Sequence, residues 1–570
     1  MAEEVWMLQT KKADFKQIGA RFRIDPVTAR IIRNRGIEGE AAIDRYLNGT
    51  LDDLYDPMLL KDMERAVSIL CEAVDTGKKI RIVGDYDIDG VCSTYILLQA
   101  FERLGSDVDF EIPDRIKDGY GINESIIEQA HADGVEVILT CDNGISAFHQ
   151  VELAKKYGMM VVITDHHEVP LDGEKEKIPP ADAVIDPKQA DCPYQFPEIC
   201  GAVVAYKLVQ VLYARRGVPQ MEWLDLLEFA AIATVGDVMK LQDENRILVK
   251  YGLKKMAQTK NLGLRRLAEK NNLDLGAITA YHIGFVIGPC LNAGGRLKTA
   301  KEALALLRAQ SEEEAERLAE ELKELNDTRK DMTEQGTEAA KLQVESWYQK
   351  DKVLVVFLPE CHESLAGIIA GRLREYYQKP AIVLTRGEEA VKGSGRSIDE
   401  YHMFKKLTEV SDLLLKFGGH PLAAGLSLEE KNIDEFRRRL NENAGLTEED
   451  FKAKVWIDVP MPVGYVTERL VRELSCLEPF GQGNEKPLFA EKSLRIRASR
   501  VLGRNRNVVK MTLEETDGHA IEALYFGDGT AFEEERAGRR EIDVVYYPDI
   551  NEYNGRKTLQ AVIRRYKFRG

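Results

Sequence analysis

Between residues 78 and 240, five short apolar runs rich in β-branched residues are separated by stretches of helical spacing: KKIRIVG, SDVDFEI, VEVILT, MMVVIT and ADAVID. This alternation constrains the fold more than any other feature. Strands that return in one direction through intervening helices make a parallel sheet, so the chain is expected to be α/β. Open parallel sheets bind ligands beyond the carboxyl ends of their strands. Three polar clusters fall there: GDYDIDG (84–90), TCDNG (140–144) and TDHHE (164–168). A fourth, VGDVM (235–239), closes a segment that reads as a buried helix, WLDLLEFAAIATVGDVMK (223–240).

GDYDIDG begins like a calcium loop of the EF-hand type. Such a loop needs a helix before it and a glutamate at its twelfth position. Counted from Asp85, that position is Ile96, and a strand precedes the loop. The EF-hand reading fails on both counts. The four clusters instead bring Asp85, Asp87, Asp89, Asp142, Asp165 and Asp237 towards His166 and His167. So many carboxylates in one crevice drive each other to take up protons unless cations neutralise them. Oxygen-rich ligands with one or two imidazoles suit Mn²⁺ or Mg²⁺ better than structural zinc. Two such ions form the clamp used for phosphodiester hydrolysis. No phosphate-binding P-loop is present, and GQGNEK (481–486) and GSGRSI (393–398) lack the third glycine of a dinucleotide fingerprint, so no nucleotide cofactor is expected.

At 570 residues the chain exceeds a single core, and about three or four domains are expected. No run of 18 apolar residues predicts a membrane span. Eight scattered cysteines without C-x-x-C, and an N-terminus without a signal pattern, point to reduced thiols in the cytoplasm. Net charge is −16, yet seven Lys/Arg and no Asp/Glu lie between Lys492 and Lys510, so a basic surface can exist locally. The spacing predicts a helical region over 1–55 and a long connecting helix over 311–350. In the latter, Ser311 and Glu314 form a capping box and Ala315, Leu318, Leu322 and Leu325 make the apolar stripe. A second α/β segment over 351–450 and a small β-barrel over 451–570 complete the chain. Tyr525, Phe526, Tyr546 and Tyr547 lie in the barrel as candidates for base stacking or for core.

DYDIDG, CDNG, DHH and GD, in this order, resemble the DHH phosphoesterase family, named for Asp165-His166-His167. GPCLNAGGRL (288–297), GSGRS (393–397) and FGGHPLAAG (417–425) resemble its companion DHHA1 domain. LEPFGQGNEKPLF (477–489) leads into a segment similar to the OB domain of the branch that digests single-stranded DNA. The resemblance implies a DHH domain over 56–310 and a 5′→3′ exonuclease of recombination and repair, carrying two Mn²⁺ or Mg²⁺ ions. It implies metal ligands at Asp87, Asp89, Asp142, His166 and Asp237, with Asp142 bridging and Asp85 as a further candidate. His167 would face the scissile phosphate, with Asp165 orienting an imidazole. Arg115 and Arg296 would grip phosphate, with Asn292, Ser394, Arg396 and His420 facing the cleft. A monomer beside a single-stranded-DNA-binding protein and a RecQ-type helicase is implied. Rival readings are an oligoribonuclease or cyclic-dinucleotide phosphodiesterase, a pyrophosphatase (disfavoured by Val83 where that branch has histidine) and a non-catalytic scaffold.

Overall fold

The computed structural model describes residues 4–569 apart from Ile116 and Asn554. The chain divides into two compact units. One comprises residues 1–5, 55–239 and 251–453; the other comprises 6–54, 240–250 and 454–570.

The first unit opens with the expected parallel sheet. Strands β1 (Ile80–Val83), β2 (Val108–Glu111), β3 (Val137–Cys141), β4 (Met160–Thr164) and β5 (Ala183–Ile185) lie in the order β2-β1-β3-β4-β5. Every pairing is parallel. β1 and β3 are buried along their whole length, as strands covered by helices on both faces must be. Helices α1 (Ile88–Arg103), α2 (Gly201–Arg216) and α3 (Leu227–Gly236) are buried on most faces, which accounts for their weak amphipathic patterning. In this strand order the direction of winding reverses between β1 and β3, and their loops open on the switch point where such sheets bind ligands.

A short helix, α4 (Gly288–Leu297), precedes α5 (Glu312–Gln343), a single helix of 32 residues. The Ser311 hydroxyl accepts the Glu314 amide, as a cap should. The Glu314 carboxylate takes the Gln310 amide rather than that of Ser311, so the predicted capping box is only half formed. Beyond α5 lies a five-stranded sheet of β6 (Leu354–Phe357), β7 (Ala381–Arg386), β8 (Val391–Arg396), β9 (Leu414–Gly419) and β10 (Ala423–Leu428), in the order β9-β10-β8-β7-β6. Only β6 and β7 pair in parallel. Helix α6 (Glu363–Tyr377) connects them.

In the second unit, β11 (Phe489–Leu502), β12 (Val508–Glu514), β13 (Ala520–Phe526), β14 (Glu541–Tyr553) and β15 (Arg556–Phe568) close into a barrel, because β14 pairs with both β15 and β11. Ile31, Ile32, Ile43 and Tyr46 share one core with Phe489, Phe532 and Tyr546, so the N-terminal helices belong to the barrel's own unit. No helix among the described residues is long and apolar enough to cross a membrane.

Candidate active site

The loop after β1 turns directly into α1, and Asp87 caps that helix by accepting the amides of Asp89 and Gly90 at 3.0 and 3.2 Å. Asp89 is then in the first turn, and its carboxylate accepts the amides of Gly201 and Ala202 at 2.7 and 2.8 Å. Those are the unpaired donors at the start of α2, where the helix dipole also favours a negative charge. Asp142 follows β3 with φ of 61°, a left-handed conformation that aspartate tolerates. Its backbone packs on Gly201, where an added Cβ would lie 2.7 Å from the Asp142 Cβ. His166 Nε2 lies 3.1 Å from Asp142, 3.4 Å from Asp89 and 3.9 Å from Asp237.

These contacts gather the acids into groups whose ligand atoms lie within 4.8 Å of one another: Asp85, Asp87 and Asp142; Asp89, His166 and Asp237; and Asp142, His166 and His167. Asp142 links the first group to the imidazoles. Burial, followed by the charge of Asp87, pushes the Asp85 carboxyl up to about 8. Burial, then Asp89 and Asp87, does the same for Asp237. Asp142 is raised well above the usual range by burial and by the surrounding carboxylates. Burial lowers His166, favouring the neutral imidazole that ligates metal, and its Nδ1 is buried without a partner. A buried, oxygen-rich set with one neutral imidazole and no countercation among its donors fits a pair of hard divalent ions.

Asp165 belongs to none of these groups and instead buttresses the two histidines. It accepts the amides of Ile145, His166 and His167 and lies 2.7 Å from His167 Nδ1. Burial would raise its pKa, but the bond and charge of His167 outweigh that and hold it low. His167 is pushed up to about 9, because the Asp165 hydrogen bond overcomes its burial. Three neighbours escaped the sequence reading. The Tyr120 hydroxyl donates to the Asp142 carbonyl at 2.8 Å and sits 3.0 Å from the His167 ring. Asp186, past β5, is buried and pushed up to about 7 by burial and by Asp165. Its position at a strand's carboxyl end was a usable signal. Gly201 carried none.

A basic group faces the acids. Asn292 and Arg296 stand four residues apart on α4, hence on one face. With Gly236, Arg329 and Ile368 they line a cavity. Arg296 donates to the Ser364 carbonyl at 3.0 Å. Burial pulls its pKa down to about 10, and Arg115, Arg329 and Arg396 add to the effect. Arg396 bonds the Ser394 hydroxyl at 3.2 Å and is lowered by burial, Arg374 and Arg115. Both pack against Gly367, where a Cβ would come within 2.9 Å of each. Arg115 lies over the Tyr86 ring, 4.5 Å from its centre. His420 is exposed at the β9–β10 turn.

Comparison with known proteins agrees with this geometry. The N-terminal domain of the DHH family matches residues 79–234, the DHHA1 domain 350–445 and the RecJ OB domain 457–565. The single-stranded-DNA-specific exonuclease RecJ of Bacillus subtilis is 36% identical over 98% of this chain and 70% of its own length. RecJ of Escherichia coli is 34% identical over 95% of each. The structure of Thermus thermophilus RecJ in complex with Mn²⁺ superposes with a TM-score of 0.84 at 28% identity, covering 99% of this chain and 79% of that one. The chain belongs to the RecJ family.

The RecJ comparison moves one detail of the sequence reading, and the structure decides another that it left open. GPCLNAGGRL was assigned to the DHHA1 domain, but it lies outside the DHHA1 match, on α4. Its glycines make no turn. A Cβ on Gly295 would collide with the Tyr86 carbonyl, so glycine lets α4 touch the loop bearing Asp85 to Asp89 and brings Arg296 beside it. Among the barrel aromatics, Tyr546 is core, fully buried with its hydroxyl on the Met461 carbonyl. Tyr525 packs on Phe532 and Tyr566. Phe526 is exposed, and Tyr547 is flanked by Lys486 and Arg564 at 3.7 and 5.4 Å. Of the basic stretch, Arg497 and Lys510 are paired with Glu514 and Glu522, while Arg495, Arg500, Arg504 and Arg506 are exposed.

Proposed function

We propose that this chain is a Mn²⁺- or Mg²⁺-dependent exonuclease that removes mononucleotides from the 5′ end of single-stranded DNA in recombination and repair. The observation that carries the reading is Asp142, shared between the carboxylates of the β1 loop and the two histidines, with a buried arginine cluster near Asp87. Asp85, Asp87 and Asp142 would hold one ion, and Asp89, Asp142, His166 and Asp237 the other. The ions would lower the pKa of an attacking water and neutralise charge on the phosphate. His167, kept protonated by Asp165, holds an N–H for a phosphate oxygen. Arg115, Arg296 and Arg396, with Asn292, Ser394 and His420, would grip the sugar–phosphate chain, the arginine forks suiting its oxygens.

In this reading the DHH domain spans 56–310, the connecting helix 311–350, the DHHA1 domain 351–450 and the OB domain 451–570. The enzyme works as a cytoplasmic monomer beside a single-stranded-DNA-binding protein and a RecQ-type helicase. The test compares oligonucleotides labelled at the 5′ or 3′ end, single- and double-stranded, with Mn²⁺ or with chelator. Release of the 5′ label as mononucleotide, from single strands only and only with metal, is expected. Digestion from the 3′ end, or equal attack on blunt duplex, refutes it.

A further inference from the structure

Tyr281 and Phe285 are among the most exposed large side chains of the chain, at 63% and 67%. They are four residues apart, and their rings stack with centres 4.7 Å apart and planes inclined by 27°. Exposure alone is common among large side chains, but two exposed rings stacked together form a flat apolar surface of the kind that binding sites use. The backbone beneath them is also irregular. Ile283–Ile287 forms a π-helical turn, a distortion frequent at functional sites. Between the two rings in sequence stands Gly284, where an added Cβ would meet only Val235, at 3.6 Å. Gly284 and Gly288 line the cavity that contains Asn292, Arg296 and Arg329. The aromatic pair and the arginine cavity are thus consecutive features of one helical segment, and Gly284, between the two rings in sequence, lies on the cavity wall.

A single strand of DNA presents that combination in every nucleotide: a phosphate, which the arginines suit, beside a flat base, which an aromatic platform suits. Stacking on aromatic rings is the sequence-tolerant way to hold unpaired bases. A base inside a duplex is already stacked and paired and cannot lie on such a platform. We infer that Tyr281 and Phe285 are positioning residues, a stacking platform for a base of the substrate strand whose neighbouring phosphate lies at Arg296 and Arg329. The platform favours single strands over duplex without reading sequence. The inference rests on the nuclease reading above and adds to it a base-binding element.

The test is the double variant Y281A/F285A, assayed for steady-state hydrolysis of oligonucleotides. Because both side chains are exposed, folding is not at stake. KM is expected to rise about tenfold, the effect of losing one stacked base, with kcat changed less than twofold. The conservative variants Y281F and F285Y should restore the wild-type KM. Single abasic sites scanned along the strand give a second readout. Wild type should lose about the same factor at one position near the 5′ end, and the double variant should be indifferent there. An unchanged KM, or an abasic penalty that persists in the double variant, overturns the platform. Absence of wild-type activity on every oligonucleotide would instead overturn the nuclease reading itself.

Discussion

The two faces of the active site carry opposite charge, and on each burial outweighs the compensation that reaches it. On one, Asp85, Asp142 and Asp237 are crowded until burial and mutual repulsion raise their pKa values. On the other, Arg296 and Arg396 are lowered by burial and by further arginines. Charge elsewhere in the same unit is handled differently. Arg81, also buried, spans Asp109 and Asp133 at 2.7 and 2.8 Å, and its pKa is raised accordingly. That buried charge is paired within the chain. In the proposed reading the two crowded groups are matched to something outside the chain, divalent cations for one and phosphates for the other, and such crowding costs stability when nothing is bound.

Removing one charge from each face should therefore separate function from stability. Asp142→Asn should lower kcat on the order of a thousandfold, since several kcal/mol of charge stabilisation are at stake. The metal-free variant should melt above wild type, and Mn²⁺ should no longer raise its Tm. Retained turnover would refute the shared-ligand role. Asp165→Asn should lower kcat roughly 10- to 100-fold while Mn²⁺ affinity measured by calorimetry holds, because Asp165 orients His167 rather than a metal. Arg296→Ala should raise KM about tenfold for a 5′-phosphorylated strand, the loss of roughly one charge-assisted contact. An unchanged KM would remove that arginine from the phosphate site.

The smallest effect separates the faces by pH. Asp85 and Asp237 keep their protons in the metal-free fold up to about 8, against an ordinary 3.8. The unfolded chain binds fewer protons between those values, so stability falls as pH rises through the window. In chelator, the Tm of wild type should drop from pH 5 to pH 8, and Asp85→Asn with Asp237→Asn should flatten the curve. A level wild-type curve would contradict the crowding. Arg296, at about 10 against 12.5, titrates only in alkali, so the basic face adds no slope there.

The acidic face was legible in the sequence because its residues, Asp237 at a helix end apart, sit past strand ends that the short apolar runs mark. Asp85, left as a further candidate, lies within 4.8 Å of Asp87 and Asp142. The basic face was legible only through family resemblance. Arg329 comes from the middle of a charged helix that reads as a solvated surface, and nothing local distinguishes it. The same holds for Tyr120, whose hydroxyl reaches Asp142 across 22 residues. Ile31 and Ile43 joined the barrel core through contacts more than 400 residues apart, which periodicity cannot register.

Gly201 brings no functional group to the reaction, yet its amide holds Asp89 and its bare α-carbon leaves room for Asp142. Any larger residue there would push one acid away from the other. In a saturation library selected for survival of DNA damage, position 201 would be depleted as thoroughly as the ligand positions. A geneticist reading those counts alone would enrol a glycine among the catalytic residues.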